Sequence, residues 1–281
     1  MKNEIRTMVA IPDVHLQPSV DGVKPIDRHD PKALSVLFQI LEYIKPDVVV
    51  QGGDLLNLGE MNPFGKKRGM NGKVRTNDGE YKQACLKDSM EAGRRFWDYV
   101  REICPRAEMC QLEGNHELWL REERNYPHNQ PFVNSDWYID KGLGLTERKI
   151  KFIPFERWGD RPQNWYQFGK LKVLHGWYHG KTYLDQMYLA LTGSFLQFDM
   201  HVIATKDYNS VAGDRVGMCG GCLCTREASY HRGRLNGWGQ AVNIINLLPS
   251  GRFFTNICRI VDGEAVIGHK VFRSRPIRGL E

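Results

Sequence analysis

The sequence lacks the apolar run of roughly 18 residues that a membrane-spanning helix needs. Its first residues, MKNEIRTMVAIPDVH, also lack the apolar core of a signal peptide and lead directly into a strand-like segment. The seven cysteines are an odd number scattered over 281 residues, which favours reduced thiols over a disulfide framework. These absences predict a cytoplasmic protein with no membrane partner.

Internal repeats and low-complexity tracts are also missing from the sequence. The composition is that of an ordinary globular chain, 41% hydrophobic and 26% charged. A net charge of +6 permits a polyanionic partner but does not require one, and nothing in the sequence predicts the oligomeric state. Because no domain boundary is evident, we expect one domain over residues 1–281, with a β-rich C-terminal part from about residue 236.

Short β-branched runs alternate with helical patterns along the chain. Residues 5–11 and 47–51 predict strands, and the helix between them begins with Asp30 as N-cap and Pro31 at the first helical position. The remaining predicted elements are a helix over 80–103 with Asp78 as its cap, strands over 107–112, 171–174 and 201–205, and a hairpin at Asp262-Gly263. This order predicts an α/β fold in which helices and sheets form a sandwich.

Polar side chains that suit metal or proton chemistry follow the ends of the predicted strands. They are Asp13, His15, Asp54, Asn115, His116 and His175. Asp13 and His15 are two positions apart, which puts both on one face of an extended segment. Two glycines precede Asp54 and allow the backbone to approach a ligand closely. Because ligands bind at the carboxyl ends of strands in open α/β sheets, we expect these groups to meet at one edge.

The donor types indicate a pair of divalent cations. A carboxylate shared by two cations, with imidazole and amide groups completing the ligand sets, suits hard or borderline metals. Two cations about 3.5–4 Å apart can hold a phosphoryl group, acidify a water molecule and stabilise an in-line displacement. Each motif taken singly has a simpler interpretation as a turn, a helix cap or a structural histidine. Their combination at successive strand ends favours the metal site.

The set Asp13-Val-His15, Gly53-Asp54, Gly114-Asn115-His116-Glu117 and His175 resembles the calcineurin-like metallophosphoesterase superfamily over roughly residues 9–210. The resemblance implies a four-layer α/β/β/α sandwich and two divalent ions, which in this family are Mn, Fe, Zn, Ni or Mg. Asp13 and His15 would bind the first metal, and Asp54 would bridge both. Asn115 and His175 would bind the second metal. His116 would not be a ligand but would stabilise the transition state or protonate the leaving oxygen.

The sequence departs from this family at the motif that normally closes the site, Gly-His-Xaa-His after the last core strand. If that strand ends near Ala204, the segment Ala204-Thr205-Lys206-Asp207 stands in its place. Thr205 would then replace a ligand of the second metal, which we expect to bind weakly because a hydroxyl is a poor ligand. Asp207 would replace a ligand of the first metal and favour harder ions such as Mn²⁺ or Mg²⁺.

Two histidines near this segment, His179 and His201, lie at other offsets, and we interpret them as surface or packing residues. The departure therefore leaves an alternative to an enzyme, namely a catalytically weakened or inactive binding protein on the same fold. Bound metal would separate the two, because two equivalents per chain favour the enzyme.

A basic, glycine-containing segment over residues 63–75 follows Asp54 and includes Lys66, Lys67 and Arg68. A basic loop beside a phosphate site suits a nucleic-acid backbone, although a solvated loop explains the same charges. The tryptophans that could stack bases, or could simply form the core or a cleft wall, are Trp137, Trp158, Trp165, Trp177 and Trp238.

A cysteine-rich motif, CGGCLC, carries Cys219, Cys222 and Cys224. It has no second matched pair for a zinc site, which His231 or Cys258 would have to complete, so packing behind the site is the preferred interpretation. Protein phosphatases of the same superfamily carry Asp-Arg-Gly after the second aspartate, and GGDLLNLGE lacks it. The resemblance therefore implies a phage-type, nuclease-like phosphodiesterase acting on nucleic acid or nucleotides.

Overall fold

The computed structural model describes residues 4–17, 29–62, 79–158, 161–209, 211, 213–226 and 236–277. The helices are α1 (Pro31–Ile44), α2 (Gly79–Ile103), α3 (Asn115–Glu123), α4 (Ile139–Gly142) and α5 (Tyr183–Leu191), with short 3₁₀ turns at Gly59–Met61, Pro127–Phe132 and Ser135–Trp137. The strands up to the middle of the chain are β1 (Arg6–Ile11), β2 (Val48–Gln51), β3 (Glu108–Leu112), β4 (Ile150–Ile153), β5 (Arg157–Trp158), β6 (Arg161–Pro162), β7 (Tyr166–Phe168) and β8 (Leu171–Leu174). The later strands are β9 (Phe195–Gln197), β10 (Ile203–Asp207), β11 (Val216–Gly220), β12 (Gln240–Leu247), β13 (Phe253–Ile260), β14 (Glu264–Ile267) and β15 (Lys270–Arg273).

Two larger sheets form the centre of this mixed α/β fold. The six-stranded sheet has the order β13-β12-β1-β2-β3-β4, with β1 to β4 parallel and β12 and β13 antiparallel to their neighbours. The five-stranded sheet has the order β10-β11-β9-β8-β7, in which β8, β9 and β11 are parallel. Because β1, β2 and β3 are parallel, their carboxyl ends share one edge of the sheet.

The apolar residues of β1 alternate between two cores. Val9 and Ile11 pack with α1 and α2 on one face of the six-stranded sheet. Met8 and Ala10 pack on the other face with residues of the five-stranded sheet, including Leu196. A strand that is buried on both faces reads as a continuous apolar run, which is why residues 5–11 were recognisable as a strand.

A third core lies on the other side of the five-stranded sheet. Met187 and Leu191 of α5 pack there with Leu174 and Phe195 from β8 and β9. Helices α1 and α2 thus pack against the six-stranded sheet, and α5 packs against the five-stranded sheet.

The capping signals of α1 are confirmed. The Asp30 side chain accepts hydrogen bonds from the backbone N–H groups of Lys32 and Ala33, and Pro31 occupies the first helical position. The helix ends at Ile44, and its C-cap residue, Lys45, adopts a left-handed conformation with φ of 48° before Pro46. The cap predicted for α2, Asp78, lies outside the described residues.

The β-rich C-terminal part joins the main sheet. Strand β12 pairs with β1 over five positions, and β13 extends the sheet beyond it. The predicted hairpin at Asp262-Gly263 is confirmed: both residues have positive φ, 50° and 79°, as a type I′ turn requires. Within the described part of the chain, every helix is too short or too polar to cross a membrane.

The strand predicted at residues 201–205 is shifted in the structure. Strand β10 begins at Ile203 and runs to Asp207 on the open edge of the five-stranded sheet. The preceding strand, β9, is only three residues long and was not predicted. His201 therefore lies in the connection between β9 and β10, and this shift changes which residues reach the site.

Candidate metal centre

The end of β1 delivers Asp13 and His15 to the carboxyl edge of the six-stranded sheet. Asp13 is fully buried, and His15 is 6% exposed. The backbone N–H groups of Val14 and His15 donate to the carbonyl oxygen of Asp54 at 3.0 and 2.9 Å. These bonds hold the segments after β1 and β2 together, so Asp13, His15 and Asp54 share one site, as the sequence predicted.

The turn that carries Asp54 is fixed by a buried glutamine. Gln51 accepts from the backbone N–H of Gly53 at 2.9 Å and donates through Nε2 to the carbonyl of Gly53 at 2.7 Å. Gln111, at the matching position of β3, donates to Gln51 at 2.5 Å. The sequence signal is a glutamine at the last position of β2 and at the second-last position of β3, and sequence reasoning assigned it no role.

Two glycines leave the space that the site occupies. A Cβ on Gly114 would lie 2.2 Å from Oδ1 of Asp54, and one on Gly53 would lie 2.6 Å from Nδ1 of His175. Gly53 also has a φ of 96°, which L-residues with side chains avoid. The backbone at both positions must therefore stay without a side chain for the aspartate and the histidine to come together.

Helix α3 begins at the site, and its first turn binds the Asp54 loop. The Glu117 carboxylate is fully buried and accepts hydrogen bonds from the backbone N–H groups of Asp54, Leu56 and Gly114, at 2.9, 3.1 and 3.0 Å. Burial and the nearby Asp54 raise the pKa of Glu117 to about 8, against the three N–H donors, which favour its ionised form. Sequence reasoning assigned no role to this residue.

His175 follows β8 and presents one ring nitrogen to the cluster. Its Nδ1 lies 2.9 Å from the carbonyl oxygen of Gly52, a contact that requires a proton on Nδ1. The lone pair is then on Nε2, which lies 3.6 Å from Oδ1 of Asp54 and 3.7 Å from Oδ1 of Asp199. A backbone carbonyl that fixes the tautomer in this way is typical of metal-binding histidines.

The Asn115 side chain points at the same place. Its amide oxygen lies 2.8 Å from Nε2 of His175 and 3.1 Å from carboxylate oxygens of both Asp54 and Asp199. Three acceptor oxygens thus converge on one imidazole nitrogen. Exchanging the amide oxygen and nitrogen would satisfy them with N–H donors, and a cation among them would satisfy them with the oxygen in place.

The segment after β9 supplies two residues that sequence reasoning did not assign to the site. His201 is buried, and its Nε2 lies 2.9 Å from Oδ2 of Asp13 and 3.2 Å from Nε2 of His15. Asp199 donates its backbone N–H to Oδ2 of Asp13 at 3.0 Å, and its carboxylate faces His175. The sequence carried a signal, because Asp199-Met200-His201 has the spacing of the last two histidines in Gly-His-Xaa-His.

This finding corrects the placement of the closing motif on Thr205 and Asp207. Asp207 is the exposed last residue of β10, paired with Val216 on the sheet edge. Strand β10 leads away from His201, so the structure does not bring Asp207 to the cluster. His201 is correspondingly not a surface residue. The side chain of His179 is 72% exposed, as expected of a surface residue, and its Nδ1 lies 3.2 Å from Oδ2 of Asp199.

His116 lies between the cluster and the open cavity. Its backbone N–H donates to Oδ1 of Asp54 at 2.9 Å, and its Nδ1 contacts the carbonyl oxygen of Asn57. The ring stacks on Trp119 at a centroid distance of 4.0 Å and meets His15 edge-on at 4.5 Å. With Nδ1 engaged, Nε2 is the atom left to face Asp54, at 3.8 Å from Oδ2.

Four of the cluster residues hold left-handed backbone conformations. Their φ values are 54° for His15, 51° for Asp54, 63° for Asp199 and 58° for His201. Such conformations are uncommon outside glycine and concentrate at functional sites, where the surrounding structure maintains them.

The ionisable groups of the cluster shift one another's pKa values. Burial, together with Asp54 and Asp199, raises the pKa of Asp13 well above its ordinary value. Burial also acts to raise the pKa of Asp54, but three neighbouring histidines outweigh it and bring that pKa to about 2. Burial and the nearby His116 lower the pKa of His15 well below its usual range. Burial acts to lower the pKa of His175 as well, but the carboxylates of Asp54, Asp199 and Glu117 outweigh it and raise that pKa. Crowded carboxylates beside imidazoles are a combination that a multivalent cation stabilises.

The positions of the donor atoms show whether the cluster is suited to a bound cation. Oδ1 of Asp13 is buried and finds no hydrogen-bond partner among the described residues, its contact to Nδ1 of His175 being 3.9 Å long. The described residues contain three groups whose ligand atoms lie within 4.8 Å of one another: Asp13, Asp54 and His175; His15, Asp54 and His116; and His15, His201 and Cys224. The donors therefore fit one or more divalent cations, whose identity and number the arrangement leaves open.

A cavity of about 350 Å³ opens onto the cluster. Its wall contains the donors His15, Asp54, Asn115, His116, Asp199 and His201, together with Asn57, Asn62, Trp119, Cys224, Thr225 and Trp238. Of the five tryptophans considered as base-stacking residues, Trp238 lines this cavity. Trp119, which was not among those five, lines it as well. Trp137 is a buried core residue, and Trp177 stacks on Phe155.

The basic residues Lys66, Lys67 and Arg68 lie outside the described residues. No protein-family model matches the chain, and no curated protein matches it. The donor geometry and the cavity are therefore the basis of the functional argument.

Proposed function

We propose that the protein is a metal-dependent phosphoester hydrolase, a phosphodiesterase acting on nucleic acid or nucleotides through a dinuclear centre. One observation carries the proposal: donors from the ends of four different strands, β1, β2, β3 and β8, converge with Asp199 and His201 in one buried cluster beneath an open cavity. A site assembled from so many strand ends, with crowded carboxylates, suits cations and an anionic substrate.

The same proposal extends to the fold. Helices α1 and α2 cover one sheet, α5 covers the other, and the remaining faces of the two sheets share a core. We take this as the α/β/β/α layering of the calcineurin-like metallophosphoesterases, which the motifs resemble.

The ligand sets follow from the contacts. Asp13, His15 and His201 would hold the first cation, with Asp54 shared. Asn115, His175 and Asp199 would hold the second, again with Asp54. Each cation then has four protein ligands. We therefore do not expect the weak metal binding that a second site with the Thr205 hydroxyl as a ligand would have. This ligand set supports a hydrolase over the alternative, a catalytically weakened or inactive binding protein on the same fold.

The protein groups around the cations have separate tasks. Bound cations would supply Lewis-acid activation of the phosphoryl group and of the attacking water. His116 is positioned, by its contact with Asn57 and its stack on Trp119, to present Nε2 to the substrate side of the cluster. It would stabilise charge on the phosphoryl oxygens or protonate the leaving oxygen. Glu117 and Gln51 hold the Asp54 loop in place.

The shape and chemistry of the cavity support a nucleotide-like substrate. Trp119 and Trp238 provide aromatic surfaces, and Asn57, Asn62 and Thr225 provide amide and hydroxyl groups of the kind that contact bases and sugars. The basic residues Lys66, Lys67 and Arg68 would add contacts to a phosphate backbone.

The decisive experiment loads metal-free protein with Mn²⁺, Fe²⁺, Zn²⁺, Ni²⁺ or Mg²⁺. Hydrolysis of bis-p-nitrophenyl phosphate is then compared with that of p-nitrophenyl phosphate. We expect two equivalents of metal per chain and faster cleavage of the diester. A protein that binds no metal, or that binds it and cleaves neither compound, would contradict the proposal.

A further inference from the structure

Cys224 lies behind one of the histidines of the candidate metal centre. Its Sγ is 3.8 Å from Nδ1 of His201. The other ring nitrogen of His201, Nε2, lies 2.9 Å from Oδ2 of Asp13 and 3.2 Å from Nε2 of His15. The thiol therefore contacts the imidazole on the side opposite to the one that a cation beside Asp13 would occupy.

Two other histidines of the cluster have a partner at the same ring position. Nδ1 of His175 lies 2.9 Å from the carbonyl oxygen of Gly52, and Nδ1 of His116 contacts the carbonyl oxygen of Asn57. In both, Nδ1 meets a backbone acceptor while Nε2 faces the cluster. At His201 a thiol sulfur takes the place of the carbonyl oxygen. Sulfur is a weaker acceptor than oxygen, but it can accept an N–H.

The thiol and the imidazole are held beside each other by their surroundings. Gln240 donates through Nε2 to the carbonyl oxygen of Cys224 at 2.9 Å, and the thiol of Cys222 contacts the same oxygen at 3.9 Å. The ring of Trp238 meets His201 edge-on at a centroid distance of 4.2 Å. Cys224 and His201 are both buried, so the sulfur is a fixed neighbour of Nδ1.

The position of one proton decides whether His201 can bind a cation. A neutral imidazole has one protonated and one unprotonated nitrogen, and only the unprotonated nitrogen is a metal ligand. For Nε2 to bind a cation beside Asp13, the proton has to be on Nδ1, which faces the sulfur of Cys224. A buried N–H without an acceptor is unfavourable, so loss of the sulfur would disfavour the form of His201 that binds metal.

We propose that Cys224 is a positioning residue, which accepts the N–H of Nδ1 of His201 and so directs the lone pair of Nε2 toward the first cation. An outer partner of this kind is typical of metal-binding histidines. The motif CGGCLC then serves the metal centre through one thiol and does not form a zinc site of its own. This inference rests on the proposed dinuclear function and adds the residue that sets the ligand form of His201.

Two substitutions separate an acceptor from a residue that only fills space. Cys224→Val fills the space of the thiol with methyl groups but offers no acceptor, whereas Cys224→Ser offers an acceptor and is slightly smaller than cysteine. In calorimetric titration of metal-free protein, we expect the affinity of one equivalent of Zn²⁺ to fall by roughly tenfold or more in Cys224→Val. The loss should be smaller in Cys224→Ser. A residue that only fills space would give the reverse order.

The matched control is Cys258→Val. Cys258 is a buried cysteine of β13 whose thiol contacts the carbonyl oxygen of Val266 at 3.6 Å, so the same change is made where no imidazole is the partner. We expect its zinc affinity to equal that of the unmodified protein.

Nitrogen NMR of the zinc-loaded, unmodified chain locates the proton directly. We expect His201 to carry it on Nδ1 and to bind zinc through Nε2, with its signals assigned by their absence from His201→Ala. Substitution of Co²⁺ for Zn²⁺ should give no cobalt–thiolate charge-transfer band, because the sulfur does not contact the cation. Both measurements use the unmodified protein, so a variant that fails to fold does not remove the test.

The outcomes separate this inference from the proposed function. Undiminished zinc affinity in Cys224→Val, a larger loss in Cys224→Ser than in Cys224→Val, or zinc-bound His201 without a proton on Nδ1 would overturn the role of Cys224 and leave a dinuclear hydrolase standing. A cobalt–thiolate band would do the same, because the sulfur would then be a ligand. Failure of the unmodified protein to bind any metal would overturn both.

Discussion

Nε2 of His201 lies 2.9 Å from Oδ2 of Asp13, and this contact joins the last part of the site to the first. Asp13 follows β1 in the six-stranded sheet, and His201 follows β9 in the five-stranded sheet. The site therefore lies where the ends of two sheets meet. The contact between His201 and Asp13 also identifies Asp199-Met200-His201 as the segment that closes the site.

The closing segment can be tested with two substitutions. His201→Ala removes an imidazole that faces Asp13 and His15, and we expect metal affinity to fall by roughly a hundredfold with a matching loss of hydrolysis. Asp207→Asn changes an exposed residue on a sheet edge and should leave both quantities unchanged. Metal titration by calorimetry measures the difference. If Asp207→Asn weakened metal binding and His201→Ala did not, the closing ligands would have to be assigned to β10 instead.

The shared carboxylate gives the second prediction. Asp54→Asn removes the negative charge that faces His15, His116 and His175, while the shape of the side chain is kept. We expect bound metal to decrease and hydrolysis to fall by more than the roughly 10²–10³-fold that loss of one stabilising group costs. Normal metal content with normal turnover in this variant would exclude a bridging role.

The third prediction separates an acid from a ligand. His116→Ala should lower turnover by roughly a hundredfold or more while metal content stays near that of the unmodified protein. Because His116 also groups with His15 and Asp54 as a potential ligand, the metal content is the informative measurement. A variant that lost one equivalent of metal would show that His116 binds a cation directly.

The buried Glu117 gives a prediction about stability. Glu117→Ala leaves three backbone N–H groups without their acceptor, and we expect the free energy of unfolding to fall by about 3 kcal/mol. The matched control is Glu122→Ala, which removes the same side chain from an exposed position of the same helix and should change stability by less than about 0.5 kcal/mol. Urea unfolding with a chelator present compares the two without a contribution from metal. Equal effects of the two substitutions would contradict the structural role of Glu117.

The basic segment gives a prediction that depends on salt. If Lys66, Lys67 and Arg68 contact phosphates, replacing all three by alanine should weaken nucleic-acid binding and reduce the salt slope by roughly one unit per lost contact. Hydrolysis of a small chromogenic diester should be nearly unchanged, because that substrate has no nucleic-acid backbone to contact. An unaltered salt slope would support the alternative interpretation of these residues as part of a solvated loop.

Much of the six-stranded sheet could be predicted because its strands are buried on both faces. Strands β1 and β2 appear in the sequence as β-branched runs ending in polar residues, β3 appears as a short run before Gly114, and the donors after these strands meet as expected. Helix α1 was equally visible through Asp30 and Pro31, since caps are short-range signals.

The closing segment could not be placed because its strand signals were weak and misleading. Strand β9 has three residues, too few for a periodic pattern, whereas the β-branched residues after His201 belong to an exposed edge strand, β10. Reading β10 as the core strand moved the expected ligands several residues too far along the chain. Cys224 was missed for a different reason, since only tertiary packing brings it to His201.

The left-handed conformations of His15, Asp54, Asp199 and His201 have a consequence for directed evolution. Residues with a Cβ lose about 1 kcal/mol or more in this region relative to glycine, and asparagine tolerates it better than most. A library screened only for heat resistance would therefore enrich glycine or asparagine at these positions. The survivors would keep the sheets and helices and lose the donors, so thermal screening of this protein has to be coupled to a selection for bound metal.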